Sequence, residues 1–200
     1  MAERPPTVHI GRAMADPLPT PTGKLTREEY RRWAEAQPRG RFELVAGEVV
    51  AMAPERARHI EVKAAAWLAL RRAIKTAGVG CQAYADGFTV EVDDDTDYEP
   101  DALVNCGERP NGNAIAAPNP VVVVEVTSPG TKSVDTGTKL ADYFRVPSIQ
   151  HYLIVMVEKR VVVHHARRAG DEIGTRLVAS GRIELDPPGI AVTVEELFEA

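Results

Sequence analysis

The stretch "NPVVVVEVTSPGT" constrains this chain more than any other. Four consecutive valines read as a strand buried on both faces, because a half-buried strand would alternate apolar with polar residues. The run delivers a carboxylate, Glu125, before it ends. Taking an ionised carboxylate out of water without a partner costs several kcal/mol or forces it to bind a proton, so a cation is expected nearby. A second apolar strand starts at His151 and runs to Val157, after a short helix from about Thr136 to Arg145. Two buried strands joined through a helix and a linker of this length imply a right-handed β-α-β crossover and a parallel pair. The fold class is therefore α/β or α+β, with helices flanking a central sheet, and Glu125 lies at the carboxyl end of a strand, where such sheets bind ligands.

Composition narrows the class. Two hundred residues, 44% hydrophobic and 26% charged, suit a soluble globular protein with one core. The formal charge of −5 argues against a protein that coats nucleic acid or acidic membranes by bulk charge. Cys81 and Cys106 lie far apart without a Cys-x-x-Cys spacing, so neither a disulfide nor a zinc site is expected and a reducing cytoplasm fits. No apolar run resembles a signal peptide or reaches the roughly 18 residues of a membrane span.

Residues 1–24 hold five prolines and little apolar periodicity, which reads as a flexible Pro-rich arm ahead of one domain over 25–200. "LTREEYRRWAEAQ" opens that domain as a helix, with Thr26 and Glu29 spaced as a capping box. "RFELVAGEVVAMAP" reads as a hairpin about Ala46-Gly47. A second helix, from about Arg58 to Ala77, places Ile60, Ala64, Trp67, Leu68, Leu70 and Ile74 mainly on one side and stops at Gly78. Further strands are expected at 80–85, 88–92, 102–104, 121–126, 151–157 and 161–165.

A second carboxylate, Asp101, follows a proline in "DYEPDALV" and opens a short apolar strand. Two carboxylates about 4 Å apart repel by roughly 1 to 4 kcal/mol, which a divalent cation more than offsets. Oxygen ligands alone point to Mg2+ or Mn2+.

Taken in order, "FELVAGEVV", a helix led by His59, "EPDALV", "PVVVVEVTSPGT" and "DTGTKLADYFRVPSIQHYLIV" resemble the Uma-type restriction endonuclease family, a branch of the PD-(D/E)XK nuclease-like superfamily. The resemblance covers roughly residues 25–200. It implies a restriction-endonuclease-like core with a central mixed β-sheet of α-β-β-β-α-β order. It further implies Pro100-Asp101 as the PD element, Glu125 as the acidic residue of the second element, and Glu43 as an additional acid. The superfamily's lysine, two residues after that second acid, is here Thr127. The resemblance implies that the lysine has moved to the following helix as Lys139, within Asp135, Lys139 and Tyr143. These three are spaced by four, so they share one helical face.

The expected activity is metal-dependent hydrolysis of phosphodiester bonds, with DNA as first choice. Asp101 and Glu125, with the Val126 carbonyl, are the expected metal ligands, and Lys139 is expected to orient water or stabilise the transition state. His59 is either a site residue or a helix cap. Two other functions fit the same residues: a catalytically idle member that binds nucleic acid or protein, and a hydrolase of small phosphoesters. A homodimer is one assembly compatible with the sequence.

Each residue also has an ordinary alternative. Glu125 can pair structurally with an arginine, Asp101 can end a solvated acidic loop, Glu43 can face water and Lys139 can be a surface lysine. His164 and His165 alternate on a strand, point to opposite faces and are assigned structural roles. Residues 26–75 carry eleven bases against seven acids, whereas 86–101 carry eight acids and no base, so a polarised field is expected. Arg56, Arg58 and Lys63, with Arg71, Arg72 and Lys75, then either contact phosphates or form a solvated helix face.

Overall fold

The computed structural model describes residues 18–127, 136–170 and 172–199. Of the arm expected over 1–24, residues 1–17 lie outside the described residues. Residues 18–24 are docked: Leu18 N–H donates to Gln37 Oε1 at 3.1 Å, and the Trp33 indole donates to the Pro19 carbonyl at 3.1 Å.

Helix α1 (Arg27–Glu35) begins where the sequence says it should, with both halves of the Thr26/Glu29 capping box formed. Strands β1 (Phe42–Val45) and β2 (Glu48–Ala51) make the expected hairpin. Ala46 and Gly47 both have positive φ (48° and 81°), as a two-residue hairpin turn requires, and a side chain at Gly47 would press on Lys24 Cβ at 2.9 Å. Helix α2 (Ala57–Ala77) ends at a left-handed Gly78.

Strands β3 (Cys81–Ala85), β4 (Val90–Asp93), β5 (Thr96–Tyr98), β6 (Ala102–Cys106) and β7 (Pro120–Thr127) precede helix α3 (Thr136–Arg145). Strands β8 (His151–Met156), β9 (Val161–Arg167), β10 (Ile173–Val178), β11 (Arg182–Leu185) and β12 (Ile190–Thr193) follow. The central sheet has the order β10-β9-β8-β7-β6-β3. Its β7/β8 pair is parallel, as the crossover argument demands, and its other pairs are antiparallel, giving a mixed sheet. A second sheet, β2-β1-β5-β4, and the β11/β12 hairpin complete the α+β architecture.

The valine run is buried on both faces. Val122, Val124 and Val126 pack with Leu153, Val155 and the α2 residues Val62, Ala66 and Leu70. Val123 packs on the other face with Tyr98, Tyr143 and Tyr152. Each valine so buried contributes about 1.5 to 3 kcal/mol relative to exposure. Glu125 alternates with Val124 and Val126, so it emerges on the face of α3 and the tyrosines.

Four expectations need correction. Helix α2 is rotated relative to the sequence reading: it buries His59, Val62, Lys63, Ala66 and Leu70, while Ile60 is 53% exposed and Ala64 faces outward. Two polar residues on the inner stripe disguised it. Cys81 and Cys106 are opposite one another in the β3/β6 register and form a disulfide, so the cysteine argument for a reducing compartment falls. Sequence separation is no guide to distance across paired strands. The polarised field is largely neutralised from within, since the basic and acidic segments pair with each other: Arg27 with Asp97 at 2.7 Å, Arg31 with Glu91 at 2.5 Å and Arg41 with Glu99 at 2.9 Å. Lys63 likewise leaves the basic surface, being buried among carboxylates. None of the helices among the described residues is long and apolar enough to cross a membrane.

Candidate active site

The expected residues converge at the carboxyl end of β7. Lys139 reaches back from α3, and its Nζ donates to Glu125 Oε1 at 2.9 Å and to Glu43 Oε1 at 3.1 Å. Tyr143, one helical turn on, donates its hydroxyl to the same Glu125 Oε1 at 2.7 Å. The four-residue spacing therefore puts two donors on one acceptor. Glu43 is delivered from β1, one residue before the buried Leu44, and is fixed by the Glu99 backbone N–H at 3.0 Å. Asp135 falls outside the described residues.

Asp101 sits beside the same strand end, tied to it through the Val126 N–H, which donates to Asp101 Oδ2 at 2.6 Å. Lys63 arrives from α2 on the opposite face of the sheet and donates to Asp101, Glu55 and Asp86, each at 2.7 Å. His59 Nε2 lies 3.9 Å from Asp101 Oδ2, too far for a hydrogen bond, and its buried Nδ1 has no partner among the described residues. Acceptor atoms of Glu55, His59 and Asp101 all lie within 4.8 Å of one another.

The site holds two ammonium groups for five carboxylates, and one of those, Asp86, is shared with Arg41. Burial and that excess of negative charge both disfavour the ionised form of the carboxyls here. Burial first, and then the charge of Glu125, push the Asp101 carboxyl up to about 7 despite its bonds to Lys63 and Val126. Burial also raises Glu43, opposed by Lys139 and reinforced by Glu125. Burial works against the charge on Lys139, yet Glu125 and Glu43 outweigh it and hold the ammonium above its ordinary value. Lys63 is held charged in the same way, chiefly by Asp101. Burial lowers His59 below the ordinary imidazole value.

Arg56 and Arg58, expected as phosphate contacts, stand exposed at the start of α2, where Arg58 pairs with Glu158 at 3.7 Å. The sequence reading missed Glu55, Asp86, Arg41 and Tyr98. The Tyr98 ring lies 4.7 Å from Lys139 Nζ, and its hydroxyl donates to Asp142 at 2.7 Å. One signal was available for the acids: Lys63 stands at helical spacing from His59, Ala66 and Leu70, and a lysine on a buried stripe demands counter-charges.

The chain is similar to other proteins in sequence and in fold. An uncharacterized protein of Synechocystis, slr1290, is 28% identical over 180 residues, spanning 89% of this chain and 93% of its own. The crystal structure of "a putative nuclease belonging to DUF820" from Anabaena variabilis superposes with a TM-score of 0.64 at 14% identity. It matches 87% of this chain and 97% of the other, and that likeness shows the shared fold. The family described as "Uma2: Putative restriction endonuclease" matches residues 27–195, so the chain belongs to the Uma2 family, as the ordered motifs around Asp101, Glu125 and Lys139 imply.

Proposed function

We propose that the protein is a metal-dependent endonuclease that hydrolyses phosphodiester bonds, with DNA as its substrate. The observation that carries this reading is the convergence of Glu43, Asp101, Glu125 and Lys139, from four separate elements, on one strand end. The donor set fits a hard divalent cation, Mg2+ or Mn2+. It is built of carboxylate oxygens with an excess of negative charge, and among the described residues the donors to Glu43 and Glu125 all meet Oε1. Asp101 and Glu125 would hold that ion, with the Val126 carbonyl as a further oxygen. When bound, it supplies Lewis-acid neutralisation of the attacked phosphate and a water acidic enough to attack at neutral pH.

The chain's own part is positional. Lys139 offers a permanent positive charge beside the reacting phosphate, where it favours the more negative transition state over the ground state. Glu43 and Tyr143 fix where that charge stands, Glu43 through the ammonium and Tyr143 through Glu125. One observation favours the idle member of the fold: Thr127 occupies the usual lysine position, and both site lysines are engaged by carboxylates.

Two measurements test the reading. Purified protein is incubated with single- and double-stranded DNA and RNA in Mg2+ or Mn2+, and no cleavage with retained nucleic-acid binding would favour the idle member. In parallel, metal at about 100 times its Kd should stabilise the fold by roughly 2.7 kcal/mol. That gain should vanish in Glu125→Ala, and an equal melting shift in the variant rules the ligand out.

A further inference from the structure

The rotation of α2 leaves Ile60 and Ala64 exposed on its outward side, next to Trp67, which is partly buried against the core. These three recur at helical spacing, and with Met52 and Pro54 they wall a cavity of about 620 Å3. Ile60 is 53% exposed within it. The Trp67 ring is pre-oriented, since its Nε1 donates to the Ala83 carbonyl at 3.1 Å and the Arg71 guanidinium lies 5.3 Å from its centroid. Asp101 and Lys63 also line the cavity, so it opens directly onto the candidate active site.

Resting on the nuclease reading above, we infer that this cavity receives one unpaired nucleobase of the substrate, and that the enzyme therefore acts on single-stranded or locally unpaired nucleic acid. The cavity is of the size that takes a ligand group of this class, its apolar and aromatic walls match a planar base, and its charged end carries Arg41 and Lys63 beside Glu55, Asp86 and Asp101. Stacking on an aromatic ring tolerates any base, because every base has a π-face. A base in a duplex is stacked and paired, and bringing it into a cavity beside its own phosphate requires extrusion, which costs a few kcal/mol. An unpaired base enters without that cost.

The experiment uses Ala64→Phe, in which a larger ring on the exposed side of α2 occupies the cavity without entering the core. In a Trp33→Phe background, Trp67 is the sole tryptophan. Its fluorescence should be quenched by a single-stranded oligonucleotide in EDTA, and Ala64→Phe should weaken that binding roughly 10- to 100-fold at an unchanged melting temperature. In Mn2+ the wild type should cleave the single strand at least tenfold faster than a hairpin of the same sequence. Bis(p-nitrophenyl) phosphate, which has no base, reports the chemistry alone. If it is cleaved but duplex is cut as fast as single strand, or Ala64→Phe binds single strand like the wild type, the base cavity is overturned while the nuclease reading stands. If nothing is cleaved but the quenching and its loss are seen, the nuclease reading fails and the base cavity stands.

Discussion

The two ends of the parallel β7/β8 pair bury titratable groups by opposite means. At the carboxyl end, charges are kept and paired: Lys139 between Glu43 and Glu125, Lys63 among Glu55, Asp86 and Asp101. At the other end, His151 opens β8 and meets His164 of β9, Nδ1 to Nε2 at 3.0 Å, inside a cavity of about 210 Å3. Here charge is suppressed. Burial, then the neighbouring His151, lower His164 to about 3, and its Nδ1 has no partner among the described residues. His165 points to the opposite face, stacking on Tyr152 and meeting Thr175 Oγ1 at 2.8 Å. A buried charge stripped of its partner costs more than a buried neutral group stripped of its own, so the carboxyl end is the less tolerant of substitution.

The largest break should come from Lys139→Met. An exposed lysine would cost nothing to lose, but this one is 4% exposed, and its removal strands two carboxylates. We expect a loss of about 3 to 5 kcal/mol in denaturant unfolding, partly recovered by adding Glu43→Gln. A cost below about 1 kcal/mol would show that the ion pairs do not form. Next comes Tyr143→Phe, which takes one buried donor from Glu125 and should cost about 1.5 to 3 kcal/mol.

The third prediction sets the two ends against each other through pH. Asp101 is raised in the fold, so its contribution is present at low pH and lost as pH rises from about 4 towards 7. His164 is lowered, so its contribution is present above its unfolded value of about 6.5 and lost as pH falls towards 3. Between pH 4 and 6.5 the two slopes oppose. Relative to wild type, Asp101→Asn should make stability climb with pH, and His164→Leu should make it fall, each by at most about 1.4 kcal/mol per pH unit. Parallel curves for all three proteins would refute both assignments. The smallest effect is expected at the surface: Arg58→Ala breaks an exposed pair with Glu158 and should stay within about 0.5 kcal/mol.

What could be read in the sequence was what is local or strongly periodic. The Thr26 capping box, the Ala46-Gly47 turn and the parallel β7/β8 pair each follow from a short pattern. Strand β5 is three residues long and β10 is largely exposed, so neither carries a pattern to detect. The face of α2 was misread because Ile60, Ala64 and Trp67 imitate a core stripe that His59 and Lys63 interrupt. Glu43, Asp101, Glu125 and Lys139 were legible through their ordered motifs. Glu55 and Asp86 were not, since they come from irregular segments whose position is set by the fold rather than by any spacing.

Carrying the lysine on α3 rather than on the strand changes what sets its position. A lysine two residues after Glu125 would be locked to the pleat of β7, and any slip of register would turn it to the other face. Lys139 is placed instead by how α3 seats on Glu125 through two side chains a turn apart. The ammonium is thereby set by the seating of a helix and not by the pleat of a strand.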